Sequence, residues 1–415
     1  MTTVISAQEL DTSESATVRP AGTTKAWLTV VGCFLIQFST VASVNSFGVL
    51  QDFYVHEFLP NSSASKVSWI IGFEILLQLS LGALAGKLCD MGHTKAILLI
   101  GTLVYLFCFF MLSLARSGQY YQVFLSQGFG MGIGVGLCYV PTLVTAANHF
   151  PRRHAIAMGI VSSSGPLGGV VFSITLNNLI PSVGFPWAVR AVAFLALGLL
   201  AIGNLLITAP SRPEQAAVIG KTSLLHGPYL WTVASGTLLQ LGGLFPLFYI
   251  QLFASSHNLS RSFIFYSVAI MSFCIALGRV IPTYFAGKYG VVGTLIIFEA
   301  LQTGIVFIMF GANRPAGLVI FAVLPRYGLI FGGVTSLFFP TITALVPSQV
   351  DRGKFVGVAM FPAAISSLIG SPVAGAIIGS NLDWWKGIVF SGVILGATTV
   401  LQAIARYLHQ RTLRV

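Results

Sequence analysis

Charge is what this sequence has least of. Only 8% of its 415 residues are Asp, Glu, Lys or Arg, and 11 are acidic. Soluble domains have about 25% charged residues, so a compact water-soluble monomer is excluded. Disulfide and metal frameworks are excluded too. The five cysteines, Cys33, Cys89, Cys108, Cys138 and Cys274, fall in or beside apolar segments without the spacing of either. They read as small buried apolar residues. No His-Glu-x-x-His site is present. Gly220-Lys221-Thr222 ends like a P-loop, but Gln215 stands where the first glycine is required. Enzyme chemistry, ATP-driven pumping and a bound cofactor or metal are therefore not expected. The first 26 residues, rich in Ser, Thr, Glu and Asp, lack a signal-peptide core and read as a disordered tail.

What the sequence has instead is apolar length. Hydrophobic residues make up 55%, and the mean hydropathy is +0.86. A helix crossing the bilayer core needs roughly 20 apolar residues. Twelve segments meet that length: about 27–51, 67–87, 94–115, 119–147, 155–178 and 187–208, then about 227–253, 262–286, 291–311, 316–345, 355–379 and 386–409. The expected fold is an all-α integral membrane protein. Its twelve transmembrane helices form two pseudo-symmetric six-helix bundles, 27–208 and 227–410, joined by a polar linker over 209–226. Residues 411–415 are left as a short tail.

An even number of spans puts both termini on one side. The formal net charge of +11 suggests nucleic acid, but the basic residues sit at helix ends rather than on one patch. With cytoplasmic termini, Arg19, Lys25, Lys87, Lys95, Arg152, Arg153, Arg212, Lys221, Lys288, Arg352, Lys354, Arg406, Arg411 and Arg414 lie inside. Only Lys66, Arg116, Arg261, Arg314 and Lys386 lie outside. That asymmetry sets the orientation. The sequons Asn61-Ser62-Ser63 and Asn258-Leu259-Ser260 then fall in outer loops, where Asn61 and Asn258 can be glycosylated. The plasma membrane is the default location and a monomer the expected state.

The two halves echo each other. Ala85-Gly86-Lys87 closes the second span and Ala286-Gly287-Lys288 the eighth. Ser162-Ser163-Ser164-Gly165-Pro166 in the fifth is matched by Ser366-Ser367 and Gly370-Ser371-Pro372 in the eleventh. Such repeats mark transporters built from two related bundles. The 44 glycines cluster within spans, as in the run Gly128, Gly130, Gly132, Gly134 and Gly136. Small residues there let membrane helices approach closely.

On these residues the chain resembles the major facilitator superfamily over about 27–410, and most closely the fungal branch of the monocarboxylate-porter family. The resemblance rests on Asn45-Ser46-Phe47-Gly48-Val49-Leu50-Gln51, Gly86-Lys87-Leu88-Cys89-Asp90, Phe150-Pro151-Arg152-Arg153 with Ala157-Met158-Gly159 and Gly165, and Gly278-Arg279-Val280-Ile281-Pro282. It implies rocker-switch transport of a small molecule through a central cavity. Animal members are similar to proton-coupled lactate carriers with an eighth-helix Arg, an Asp four residues earlier and a first-helix Lys. Here Arg279 is kept, but Ile275 and Asn45 stand at the other two positions, which argues against lactate symport of the animal type.

Charges within spans cost at least about 2.5–3.5 kcal/mol and persist where they are paired or wetted. Arg279 is expected to bind a substrate carboxylate, or to pair with Glu74 or Glu299. Those two acids are the candidates for carrying a coupling proton. Arg326, Asn45, Tyr139, Gln37 and Phe339 complete the candidate substrate site. Lys87, Asp90, Arg152 and Arg153 are the candidate cytoplasmic gate. Two readings of function remain: export of a small organic anion or secondary metabolite, and proton-linked uptake of a monocarboxylate or vitamin. A receptor on the same fold and a channel are set aside, because no long tail follows the last span and no filter-like repeat is visible.

Overall fold

The computed structural model describes residues 24–150, 154–208, 227–257, 259–310, 316–345, 352–379 and 381–412. Twelve of its helices are long and apolar enough to cross a membrane. They are α1 (Thr24–Phe58), α2 (Ala64–Asp90), α3 (Thr94–Leu112), α4 (Tyr120–His149), α5 (His154–Val183) and α6 (Phe185–Leu206), followed by α7 (Gly227–Ser256), α8 (Arg261–Tyr289), α9 (Val291–Ile308), α10 (Ala316–Leu345), α11 (Arg352–Ile378) and α12 (Trp384–Thr412). The expected tails and linker lie almost wholly outside the described residues.

Helix neighbours repeat between the two sets of six. α2 packs on α4 as α8 packs on α10, and α1 on α6 as α7 on α12. The pairs α3–α4 and α3–α6 recur as α9–α10 and α9–α12. The sets meet chiefly through α2 against α11, α5 against α8 and α1 against α7. Large apolar side chains stay exposed on the outer flanks, among them Leu205 (84%), Tyr284 (80%) and Phe107 (64%). A protein in water would bury such a belt, whereas lipid accepts it.

α1 runs further than its apolar stretch suggests. Its α-helical turns break at Val41 and resume at Ala42, and it closes in a π-helical turn over Tyr54–Phe58. Asp52 and His56, past the end of the expected first span, are therefore helical. α4 is π-helical over Phe124–Met131, where its glycine run begins. Gly130 faces the Cys108 side chain, and the others meet backbone. A Cβ on Gly128 would stand 3.0 Å from the Ile70 carbonyl oxygen, and one on Gly136 2.5 Å from that of Leu77.

The closest helix crossing of this kind lies between α1 and α5. A Cβ on Gly168 would fall 1.9 Å from the Phe38 carbonyl oxygen, while one on Gly198, on the flank, would meet nothing within 4 Å. Gly168→Val is accordingly expected to lose at least about 1–3 kcal/mol by overpacking. Gly198→Ala should be neutral or slightly stabilising. Thermal melting of the two purified variants in detergent checks the contrast.

Candidate functional site

One end of the bundle holds Thr24 and Thr412, the two ends of the described chain, and is called the near end; the opposite end is the far end. Arg279, Tyr139, Gln37 and Ser162 lie about 12–20 Å in from the near end, taking 1.5 Å per helical residue. They come from α8, α4, α1 and α5, so both halves contribute.

Arg279 is half-buried, and its Nη1 donates to the Ser162 carbonyl of α5 in the other half. The sequence explains why that carbonyl is available. In an α-helix the carbonyl of residue i accepts from the amide of residue i+4. Position 166 is proline, which has no amide hydrogen. Ser162 therefore cannot make its helical bond, and Arg279 takes the freed acceptor. Arg279 is in turn held by tight packing behind it. A Cβ on Gly278 would reach the Leu329 carbonyl oxygen of α10 at 2.0 Å, and one on Gly332 would approach the Arg279 backbone nitrogen at 3.1 Å. The Nε of Arg279 is buried and has no hydrogen-bond partner. An unpaired buried donor of this kind is costly, and a bound acceptor would relieve it.

Gln37, fully buried, donates from Nε2 to the Tyr139 carbonyl (3.1 Å) and to Thr142 Oγ1 (2.9 Å), leaving its Oε1 buried without a partner. Tyr139 is half-buried and lies at about the same depth as Arg279. Asn45 sits deeper. Its Nδ2 donates to its own helix at Val41 (2.9 Å), its carbonyl accepts from Ser272 Oγ of α8 (3.3 Å), and its Cβ packs against Gly169.

The two buried acids lie elsewhere. Glu74 is wholly buried and takes one hydrogen bond, from Ser43 Oγ of α1 at 2.7 Å, while its Oε2 has no partner. Glu299 repeats the pattern in the second half: Ser235 Oγ of α7 donates at 3.3 Å and Oε2 is unpartnered. Neither is within ion-pair distance of a described cation, so the pairing considered for Arg279 is not formed. The absence of a counter-charge matters, because an isolated buried carboxylate is much more costly than a neutral acid.

Other expected residues are not brought to Arg279. Arg326 is exposed on α10. Phe339 packs with Phe338 beside the cluster of Tyr229, Ile342 and Phe355. A pocket of about 530 Å³ opens next to that cluster, lined by Tyr229, Leu230, Val233 and residues of α11, away from Arg279. Lys87 is exposed near the end of α2, and Asn61 is exposed in the turn between α1 and α2. The Asp90 side chain, Arg152, Arg153 and Asn258 lie outside what is described. Sequence reading passed over Ser162, although a proline four residues after it in a span is a signal for a free carbonyl. It also passed over Ser43 and Ser235, which have no such signal.

The profile of the Major Facilitator Superfamily matches residues 30–351. Among curated proteins, the chain is 31% identical over 377 residues to the aspyridones efflux protein apdF of Emericella nidulans, covering 91% of this chain and 76% of that one. It is 33% identical over 389 residues to the agnestins efflux protein AgnL12 of Paecilomyces divaricatus, covering 92% and 88%. Among solved structures, an inward-facing bacterial homologue of the human lysosomal transporter Spinster superposes with a TM-score of 0.64 at 16% identity, over 93% of this chain and 96% of that one. The nucleoside transporter NupG superposes with a TM-score of 0.66 at 14% identity, over 92% and 99%.

Ser43 gives Glu74 its single described hydrogen bond. Ser43→Ala should therefore cost about 1–3 kcal/mol, the range for leaving a buried polar group unpartnered. Glu74→Gln, which keeps an acceptor oxygen and adds no charge, should cost less than Ser43→Ala. Denaturant or thermal unfolding in micelles ranks the two.

Proposed function

This chain belongs to the Major Facilitator Superfamily, and from that premise we propose that it is a secondary active transporter exporting a small organic anion of the secondary-metabolite kind. The observation that supports the anion is Arg279, a guanidinium at the meeting of the two halves whose buried Nε has no partner. Arginine holds carboxylates and similar planar anions with two parallel bonds. Export is supported by relatives whose names give efflux of particular metabolites.

In this reading Arg279, Tyr139 and Gln37 contact the cargo, with Asn45 at the upper edge of the site. Arg326 and Phe339 fall outside it unless the halves rearrange. Glu74 and Glu299 exchange protons as each half moves, linking export to a proton gradient. The near end is cytoplasmic, with Lys87, Asp90, Arg152 and Arg153 closing it in the alternate state. The far end faces outward with Asn61 and Asn258 as glycosylation sites. The protein acts as a monomer in the plasma membrane. The same arginine also suits proton-linked uptake of a monocarboxylate or vitamin, as in the monocarboxylate-porter branch. Ile275 and Asn45, where animal carriers have charges, weigh against that alternative.

Vesicles containing the purified protein test the proposal. Arg279→Ala should lower transport of an anionic metabolite about tenfold or more, the scale of a lost charge-assisted bond. An unchanged rate with an identified anionic cargo removes Arg279 from the site. Glu74→Gln and Glu299→Gln should abolish stimulation by a pH gradient while leaving cargo exchange. Labelled lactate uptake that vanishes when the pH gradient is collapsed would favour the import reading.

A further inference from the structure

The hydrogen bonds between the two halves are unevenly distributed. Among the described residues the one nearest the termini is Arg279 to Ser162; the others lie at the centre or toward the far end. The far end is therefore the clasped one, and a single carboxylate stands at its centre.

Asp52, on the last α-helical turn of α1, has a side chain 18% exposed. Its Oδ2 accepts from Gln251 Nε2 at 3.2 Å and its Oδ1 from Ser255 Oγ at 3.0 Å, both on α7 in the other half. Gln251 and Ser255 are four residues apart, hence on one face of α7. His56, one turn beyond Asp52, brings Nδ1 to 3.2 Å from the same Oδ1. The Gln251 amide also lies 3.5 Å from Asn177 Oδ1 of α5, and Asn177 Nδ2 donates to the Phe265 carbonyl of α8 at 2.8 Å. Each of these bonds, His56 apart, crosses between the halves. Beneath them, Phe47 of α1 meets Phe248 of α7 edge-on at 5.7 Å, and Gly48 packs against the Leu247 carbonyl.

The two donors reach different oxygens of one group, and an ionised carboxylate presents both as acceptors. Bonds to a charged acceptor are about twice as strong as neutral ones. We propose that Asp52 is a positioning residue of the transport cycle: its carboxylate latches α1 to Gln251 and Ser255 of α7, holds the far end shut in this state, and must let go of α7 for the far end to open. The proposal rests on the alternating-access reading but not on any cargo, on Arg279 or on direction of transport.

Paired spin labels on the full-length protein in nanodiscs, with the native cysteines replaced, test it by distance measurement. One pair, Arg116→Cys with Trp385→Cys, spans the far end. A second, Met91→Cys with Tyr289→Cys, spans the near end. Asp52→Ala should raise the population of widely separated far-end labels about tenfold or more, and Ser255→Ala, a change too small to endanger folding, about threefold. Asp52→Asn should open the far end less than Asp52→Ala, because its amide keeps one acceptor oxygen and can still donate to Ser255 Oγ or to a flipped Gln251 amide, while losing the charge. Adding Gln251→Glu to Asp52→Asn restores a charged acceptor facing an amide donor and should return the closed distribution, a rescue that generalised destabilisation would not give. An unchanged far-end distribution in both Asp52→Ala and Ser255→Ala, or failure of the exchange pair to restore closure, overturns the latch. If the far end widens while the near-end pair does not shorten, the latch stands, but the halves separate without rocking and the alternating-access reading fails.

Discussion

Hydrocarbon offers a peptide group no hydrogen-bond partner, and this fold is organised around that constraint. Each span must satisfy its own amides and carbonyls, and a proline within a span leaves one carbonyl unpaired. Two of those freed carbonyls are taken up by side chains from other helices. Pro246 removes the partner of Gly242, whose carbonyl accepts from Ser391 Oγ of α12 at 2.7 Å. Pro166 removes the partner of Ser162, whose carbonyl accepts from Arg279. The first bond lies within one half and fixes two helices together. The second joins the halves, so it must break if they separate at that depth. The same covalent feature thus yields a static brace in one place and a reversible contact in another, and the difference lies only in which half supplies the donor.

Glycine does the complementary work. Between α1 and α5, and between α8 and α10, the missing Cβ lets one backbone rest on another. Lipid gives helices little hydrophobic reason to associate, so close packing and hydrogen bonds must hold them. Packing this tight makes each half stiff, and a stiff half can move as one body. Glycine packing also crosses between the halves, where a Cβ on Gly72 would fall 2.6 Å from the Leu368 carbonyl oxygen, and hydroxyls, amides and one carboxylate join it toward the far end.

Much of this is legible in the sequence because the bilayer acts on composition. All twelve spans appear as apolar runs, and the structure places helices at each of them. Arg279 stands out because a charge in a span needs a reason. What composition does not reveal is placement. Arg326 looks equivalent to Arg279 in the sequence but is exposed on α10. Phe339 packs in an aromatic cluster rather than at the site. Asp52 escapes notice because it follows the apolar part of α1 and reads as the start of a loop. It stands instead on the α-helical part of α1, which runs on through Phe58, and faces Gln251 and Ser255 of α7. The break at Val41 likewise leaves no mark in the hydropathy, since Ala42 and Val44 continue the apolar run.

The two buried acids reveal an asymmetry that the internal repeat would not suggest. If the halves were strict copies, an acid on α2 would be matched on α8. Glu74 is on α2, but its counterpart in the second half, Glu299, is on α9, the equivalent of α3. Their partners are equivalent all the same: each acid takes its hydrogen bond from a serine on the first helix of its own half, Ser43 on α1 and Ser235 on α7. A buried acid facing the first helix of each bundle has thus been reached from different neighbouring helices. Symmetry inherited from duplication would have fixed the helix and left the chemistry free to drift. Here the chemistry recurs on a helix that the repeat does not dictate. The repeat therefore extends to the hydrogen-bond partner of each acid but not to the helix that carries the acid.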